Sequence, residues 1–158
     1  MNLLLTAFED RFVVVHDRST KLLTLTGEDF LYRRPREIPK TFAMFSVGEY
    51  LLRSAAAVEQ TFGGITTKLW DDPFEWTLPE KLSTKATVLA YLNDVEATRQ
   101  KGFLFFRSDE DLNRRLPAPE RLASITELLL ATVARAEHFQ GRAFAIFQMF
   151  SDEKLPRL

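Results

Sequence analysis

The chain contains no cysteine, only two histidines and no long apolar run. Without cysteine there can be no disulfides, thiolate metal ligands or cysteine nucleophiles. No segment reaches the roughly 18 to 20 uncharged apolar residues that a membrane-spanning helix requires, so we expect no membrane partner. The short apolar run near the start is followed at once by Glu9, Asp10 and Arg11, unlike a secretory signal. We therefore expect a cytoplasmic protein.

An excess of either charge is missing as well. Lysine and arginine total 21 against 22 for aspartate and glutamate, a net charge of -1. Nucleic-acid-binding domains usually carry a clustered basic excess, so we do not expect nucleic acid as a partner. The length of 158 residues falls in the usual range of one domain. We therefore expect a single domain over residues 1–158.

What the sequence does contain is four long stretches with helical periodicity. Their apolar residues recur at intervals of three and four, which is the spacing of an amphipathic α-helix. No segment alternates convincingly as a β-strand does. The sequence therefore predicts an all-α fold, a four-helix bundle, with a long first crossover that carries Pro35 and Pro39.

Local signals predict where the helices begin and end. Ser46 with Glu49, and Ser124 with Glu127, have the spacing of a capping box. The third helix is expected to begin at Ser83 or Thr84, and the second to fray near Gly63 and Gly64. The loop with Trp70 and Trp76 is expected to cover one end of the bundle.

The order and spacing of four segments carry a family resemblance. The segments read "LTGEDFLYRRP", "SVGEYLLRSAAAVEQTF", "KATVLAYLNDVEATR" and "SITELLLATVARAEHFQGR". They resemble the DinB-like four-helix bundles of bacteria, which include proteins induced by DNA damage and thiol-dependent transferases and isomerases that use bacillithiol or mycothiol. The likeness covers about Leu22 to Phe147. It implies a helical bundle and a homodimer.

The resemblance also implies a position for a three-histidine metal site. In active members one ligand lies seven residues after the serine that caps the second helix, and two lie on the fourth helix in an H-x-x-x-H-R-G-Q pattern. Counted from Ser46 and Gly141, these positions are Arg53, Arg135 and Phe139 in this chain. None of them is histidine. The resemblance therefore predicts that the metal site has been lost and that no cofactor is bound.

His138 lies one residue from a ligand position, about 100° away around the helix. If the local register is off by one, His138 is a ligand and a divalent metal such as zinc or nickel is expected. That interpretation needs further ligands, for which His16, Glu59 and Glu137 have no suitable spacing. The alternative is a histidine on the helix surface, hydrogen-bonded to a neighbour or to water.

Arg53, Arg135, His138 and Phe139 form the candidate pocket. Two guanidinium groups in place of two imidazoles suit a carboxylate or phosphate ligand. The alternative is that the arginines pair with Glu49, Glu59 or Glu137, or extend their charged ends into solvent.

Two classes of function follow. The first is a binding or interaction protein for a small anionic or thiol ligand. The second is an enzyme, a thiol-dependent S-transferase or isomerase in which Arg53, Arg135 and His138 orient an anionic substrate or stabilise a thiolate.

Overall fold

The computed structural model describes residues 2–36, 44–73 and 79–157, and four α-helices form most of this part of the chain. The helices are α1 (Leu3–Leu25), α2 (Val47–Thr67), α3 (Lys85–Phe103) and α4 (Ile125–Phe150). A short 3₁₀ helix (Asp109–Asn113) and an antiparallel hairpin of β1 (Arg115–Pro117) and β2 (Leu122–Ser124) connect α3 to α4. The predicted four-helix bundle is confirmed. The hairpin was not predicted.

The caps explain where the helices begin. Ser46 Oγ accepts a hydrogen bond from the Glu49 amide at 3.2 Å, and Glu49 accepts one from the Ser46 amide at 2.8 Å. The same reciprocal pair joins Ser124 and Glu127, so both predicted capping boxes are confirmed. Thr84 caps α3, which is one of the two predicted positions.

Helix α1 is capped from a distant part of the sequence. The Asp109 carboxylate accepts hydrogen bonds from the Leu5 amide at 2.9 Å and the Leu4 amide at 3.0 Å. The hydrogen bonds from these backbone amides lower the pKa of Asp109, and the one from Leu5 has the largest effect. Their contribution to stability is therefore complete at neutral pH and is lost as the pH falls through that lowered pKa. The 3₁₀ helix is tied in this way to the beginning of α1.

Helix α2 packs most extensively on α4 and also contacts α3, while α1 packs on α3 and α4. One apolar core lies between the four helices. The stripe of α4 that faces the core is buried except at Phe139, which is half-buried; its buried residues are Ile125, Leu129, Thr132, Ala136, Ala143 and Phe147. Gln140 takes the buried position instead, and its Nε2 donates to the carbonyl oxygen of Val15 at 2.7 Å and to Ser19 Oγ at 2.8 Å.

The connections between the helices differ in which ends of the bundle they join. The first, residues 26–46, returns near its starting point, because the Gly48 amide donates to the carbonyl oxygen of Leu31 at 2.8 Å. The second, residues 68–84, joins opposite ends of the bundle, because α3 begins beside the end of α1, where the Lys85 amide meets Glu28 at 3.1 Å. A second long connection was not predicted. Trp76, expected in the loop over the bundle end, lies outside the described residues.

Arg99 joins α1 to α3 through a buried charge cluster. Its side chain is 2% exposed. Its Nε donates to Glu96 at 3.2 Å, its Nη2 also bonds Glu96, and its Nη1 lies 3.1 Å from the carboxylate of Glu9 on α1. The guanidinium also lies 5.2 Å from the centre of the Phe103 ring. Arg99 is the cation that pairs with both carboxylates.

We predict that Arg99→Met lowers the free energy of unfolding by about 3 kcal/mol, because it leaves a partly buried carboxylate without its partner. Arg121→Met is the control, since both side chains of the Arg121–Glu127 pair are exposed, at 63% and 43%, and loss of an exposed ion pair is expected to change stability much less. Urea unfolding followed by circular dichroism measures both. Equal effects of the two substitutions would contradict the assigned role of Arg99.

Candidate ligand-binding groove

A groove with a cavity volume of about 400 Å³ lies between α2 and the first half of α4. Trp70 forms one wall, and the turn of the hairpin, residues 118–121, closes one end. The volume is within the range of small-molecule sites, about 300 to 1,000 Å³. We define the α2/α4 groove as this cavity and its lining.

The floor of the α2/α4 groove combines small apolar side chains with one hydroxyl pair. Ala57 and Ala131 leave the space open. Thr61 and Thr132 are both buried, and their Oγ1 atoms lie 2.6 Å apart. Thr132 Oγ1 also donates to the carbonyl oxygen of Leu128 at 2.7 Å.

Trp70 can lie against α2 only because residue 64 is glycine. A Cβ at Gly64 would overlap the six-membered part of the indole. The indole Nε1 donates to the carbonyl oxygen of Pro117 at 3.0 Å, which links the wall to the hairpin. Helix α2 therefore runs past Gly63 and Gly64 to Thr67, where the sequence predicted fraying.

Arg135 supplies a positive charge to the groove. Its side chain is exposed, and its Nη1 donates to Gln60 Oε1 at 3.4 Å. Gln60 is itself oriented, since its Nε2 donates to the carbonyl oxygen of Trp70 at 3.2 Å. Among residues 2–36, 44–73 and 79–157, no carboxylate lies within ion-pair distance of Arg135.

The opposite end of the groove carries Arg121 and two carboxylates, those of Glu120 and Glu127. Arg121 Nη1 lies 3.1 Å from the Glu127 carboxylate. The backbone amide of Ser124, its hydroxyl and Arg121 together lower the pKa of Glu127 to about 2. Glu127 therefore stays ionised down to about that pH, and its contribution to the cap of α4 is lost only as the pH falls toward that value.

The structure does not bring the four predicted pocket residues together in one site. Arg135 lines the α2/α4 groove, whereas Arg53, His138 and Phe139 are not part of its lining. Phe139 is stacked on Tyr50, with ring centres 6.4 Å apart. His138 is exposed on α4, beside Phe139.

Arg53 belongs to an aromatic cluster at the beginning of α2. Its guanidinium lies 3.7 Å from the centre of the Phe45 ring, and its Nη1 donates to the carbonyl oxygen of Glu49 at 3.3 Å. Burial lowers the pKa of Arg53, and the charge of Glu49 opposes that shift. The Glu49 carboxylate is held by Arg34, with Nη2 to Oε1 at 2.5 Å.

The carboxylates considered as metal ligands have other partners. Glu59 accepts a hydrogen bond from the Tyr91 hydroxyl at 2.5 Å, and Glu137 pairs with Arg11. Within the part of the chain that the structure describes, no group of three or more histidine, aspartate or glutamate side chains could hold a metal ion.

Comparison with known proteins assigns no family, because no protein-family model matches the chain and no curated protein matches it. None of the helices in the described ranges is both long enough and apolar enough to cross a bilayer.

Sequence reasoning missed most of the groove lining. Gln60, Thr61 and Thr132 lie in amphipathic helices, where a polar residue on the border of the buried stripe gives only a weak signal. Small residues on facing helices, here Ala57 and Ala131, can indicate a cavity between the helices. This pattern becomes visible only once α2 and α4 are known to pack together.

We predict that Gly64→Ala displaces Trp70 and lowers the free energy of unfolding, since the added methyl group overlaps the indole. Gly63→Ala is the control, because its methyl group would meet only the carbonyl oxygen of Leu69 at 3.5 Å. It is expected to stabilise α2 by up to about 1 kcal/mol. Denaturant unfolding and the NMR signal of the Trp70 indole N–H report the two effects. An unchanged indole signal in Gly64→Ala would contradict the assigned wall.

Proposed function

We propose that the chain is a DinB-like bundle without the three-histidine metal site, and that it binds a small organic anion in the α2/α4 groove. One observation carries the proposal: Arg135 lines the groove and has no carboxylate partner among the described residues. The guanidinium is always ionised and suits a carboxylate or phosphate geometrically.

The arrangement around Arg135 favours a ligand over solvent alone. Gln60 holds one edge of the guanidinium while its own amide is fixed by Trp70. A guanidinium restrained before binding loses less conformational freedom when an anion arrives. The apolar floor next to it favours an anion with an organic body over a bare inorganic ion.

The alternative is a thiol-dependent S-transferase or isomerase, which requires Arg53, Arg135 and His138 to act on one substrate. Catalytic side chains must converge on a shared cavity. Of these three only Arg135 lines the groove. The geometry therefore supports the binding function better than the enzymatic one.

We predict that benzoate, used as the simplest aryl carboxylate, binds to the wild-type protein in an NMR titration and shifts the signals of the groove residues. Arg135→Gln should weaken this binding by about tenfold or more, because a hydrogen bond to a charged group is lost. Arg142→Gln is the matched control, since Arg142 is exposed on the same helix but does not line the groove. Binding that is absent, or equally weakened by both substitutions, would overturn the proposal.

We also propose that the protein is a homodimer, on the resemblance alone, and that it is located in the cytoplasm. Sedimentation equilibrium is expected to give about twice the chain mass of 18.2 kDa. A single species of the chain mass over a wide concentration range would contradict it.

A further inference from the structure

The hydroxyl pair in the groove floor has a fixed hydrogen-bond direction. Each threonine hydroxyl has a single proton to donate. The proton of Thr132 is committed to the carbonyl oxygen of Leu128, at 2.7 Å. Either oxygen could donate in the 2.6 Å contact between Thr61 and Thr132, and with the proton of Thr132 on Leu128 the donor is Thr61. The pair therefore has no proton left for a third group.

The chemical consequence is that Thr61 can only accept a further hydrogen bond. Its oxygen retains an unused lone pair, and both threonines belong to the groove lining. Thr61 is 8% exposed and Thr132 is 5% exposed, so water competes poorly for this acceptor. A ligand group that donates a hydrogen bond is matched here, whereas a second anionic group is not.

The acceptor and the cation belong to neighbouring parts of the groove lining. Arg135 follows Thr132 by three residues on α4, a rise of about 4.5 Å along the helix. Gln60, which orients Arg135, is adjacent to Thr61 on α2. A ligand that reaches both therefore carries its carboxylate and its hydrogen-bond donor on separate parts of the same molecule.

We propose that the α2/α4 groove selects carboxylates that also carry a hydroxyl or N–H donor, and that Thr61 is the residue that recognises this donor. This inference rests on the proposed anion site at Arg135. Arg135 accounts for affinity toward any organic carboxylate, and Thr61 accounts for the choice among them.

The test compares 4-hydroxybenzoate with 4-methylbenzoate, which have the same carboxylate and nearly the same size. The measured quantity is the ratio of their dissociation constants, obtained by NMR titration of the full chain. In the wild-type protein we expect 4-hydroxybenzoate to bind about threefold to tenfold more tightly, the effect of one neutral hydrogen bond. Thr61→Val should bring the ratio to about one or reverse it, because valine keeps the shape and removes the acceptor.

Two further variants make the test specific. Thr61→Ser keeps the hydroxyl and should retain the preference. Thr98→Val removes a threonine hydroxyl on α3, which bonds only the carbonyl oxygen of Asp94 in its own helix, and should leave the ratio unchanged. The amide spectrum of each variant shows whether it is folded.

The outcomes separate this inference from the function on which it rests. If both benzoates bind, Arg135→Gln weakens both, and the ratio is the same in wild type and in Thr61→Val, then the anion site stands and the selection by Thr61 is overturned. If neither compound binds to the wild-type protein, both proposals fail. A ratio that collapses in Thr61→Val and is retained in Thr61→Ser supports the inference.

Discussion

Close antiparallel contact between α2 and α4 is the constraint on which both the core and the groove depend. Ser54 Oγ donates to the carbonyl oxygen of Ala136 at 2.8 Å, a contact between a short side chain and the backbone of the facing helix. Such a bond requires the two backbones to approach closely, and the small buried residues along the contact allow that approach. One turn of α4 earlier, Thr132 meets Thr61. Small residues that let the helices approach also leave the outer side of the contact unfilled, and that unfilled strip is the groove.

The helices and their caps could be predicted because the physical causes are local. A serine and a glutamate three residues apart satisfy each other's backbone amides wherever they begin a helix, as Ser46 and Ser124 do. The end of α2 could not be predicted in the same way. Two glycines weaken a helix by about 1 kcal/mol each, but Trp70 packs where a side chain at residue 64 would lie, and the helix continues to a left-handed cap at Lys68. The stabilising contact comes from outside the helix, so its periodicity carries no sign of it. The hairpin strands span only 115–117 and 122–124, too few residues to show alternation.

The candidate site was predictable in part. The resemblance placed Arg135 and Phe139 at two ligand positions on α4, and both side chains do approach α2, through Gln60 and Tyr50. Spacing does not say where along that contact the surface is filled and where it is open. At Phe139 the aromatic ring of Tyr50 occupies the space, whereas at Arg135 the facing residues are smaller. The other boundaries come from Trp70 and the hairpin turn, far from Arg135 in sequence, and only the folded chain brings them together.

The threonine pair is best understood by asking what it contributes to stability. Replacing two hydrogen-bonded polar groups together by apolar groups of the same shape is often nearly neutral, so a valine pair at positions 61 and 132 would hold α2 against α4 about as well. The hydroxyls therefore add little that the bundle needs in order to fold. What they add is chemical: a hydrogen-bond acceptor in the lining of a groove that also holds a guanidinium without a carboxylate partner in the described chain. We therefore propose that the hydroxyl pair serves to distinguish among organic anions rather than to stabilise the bundle.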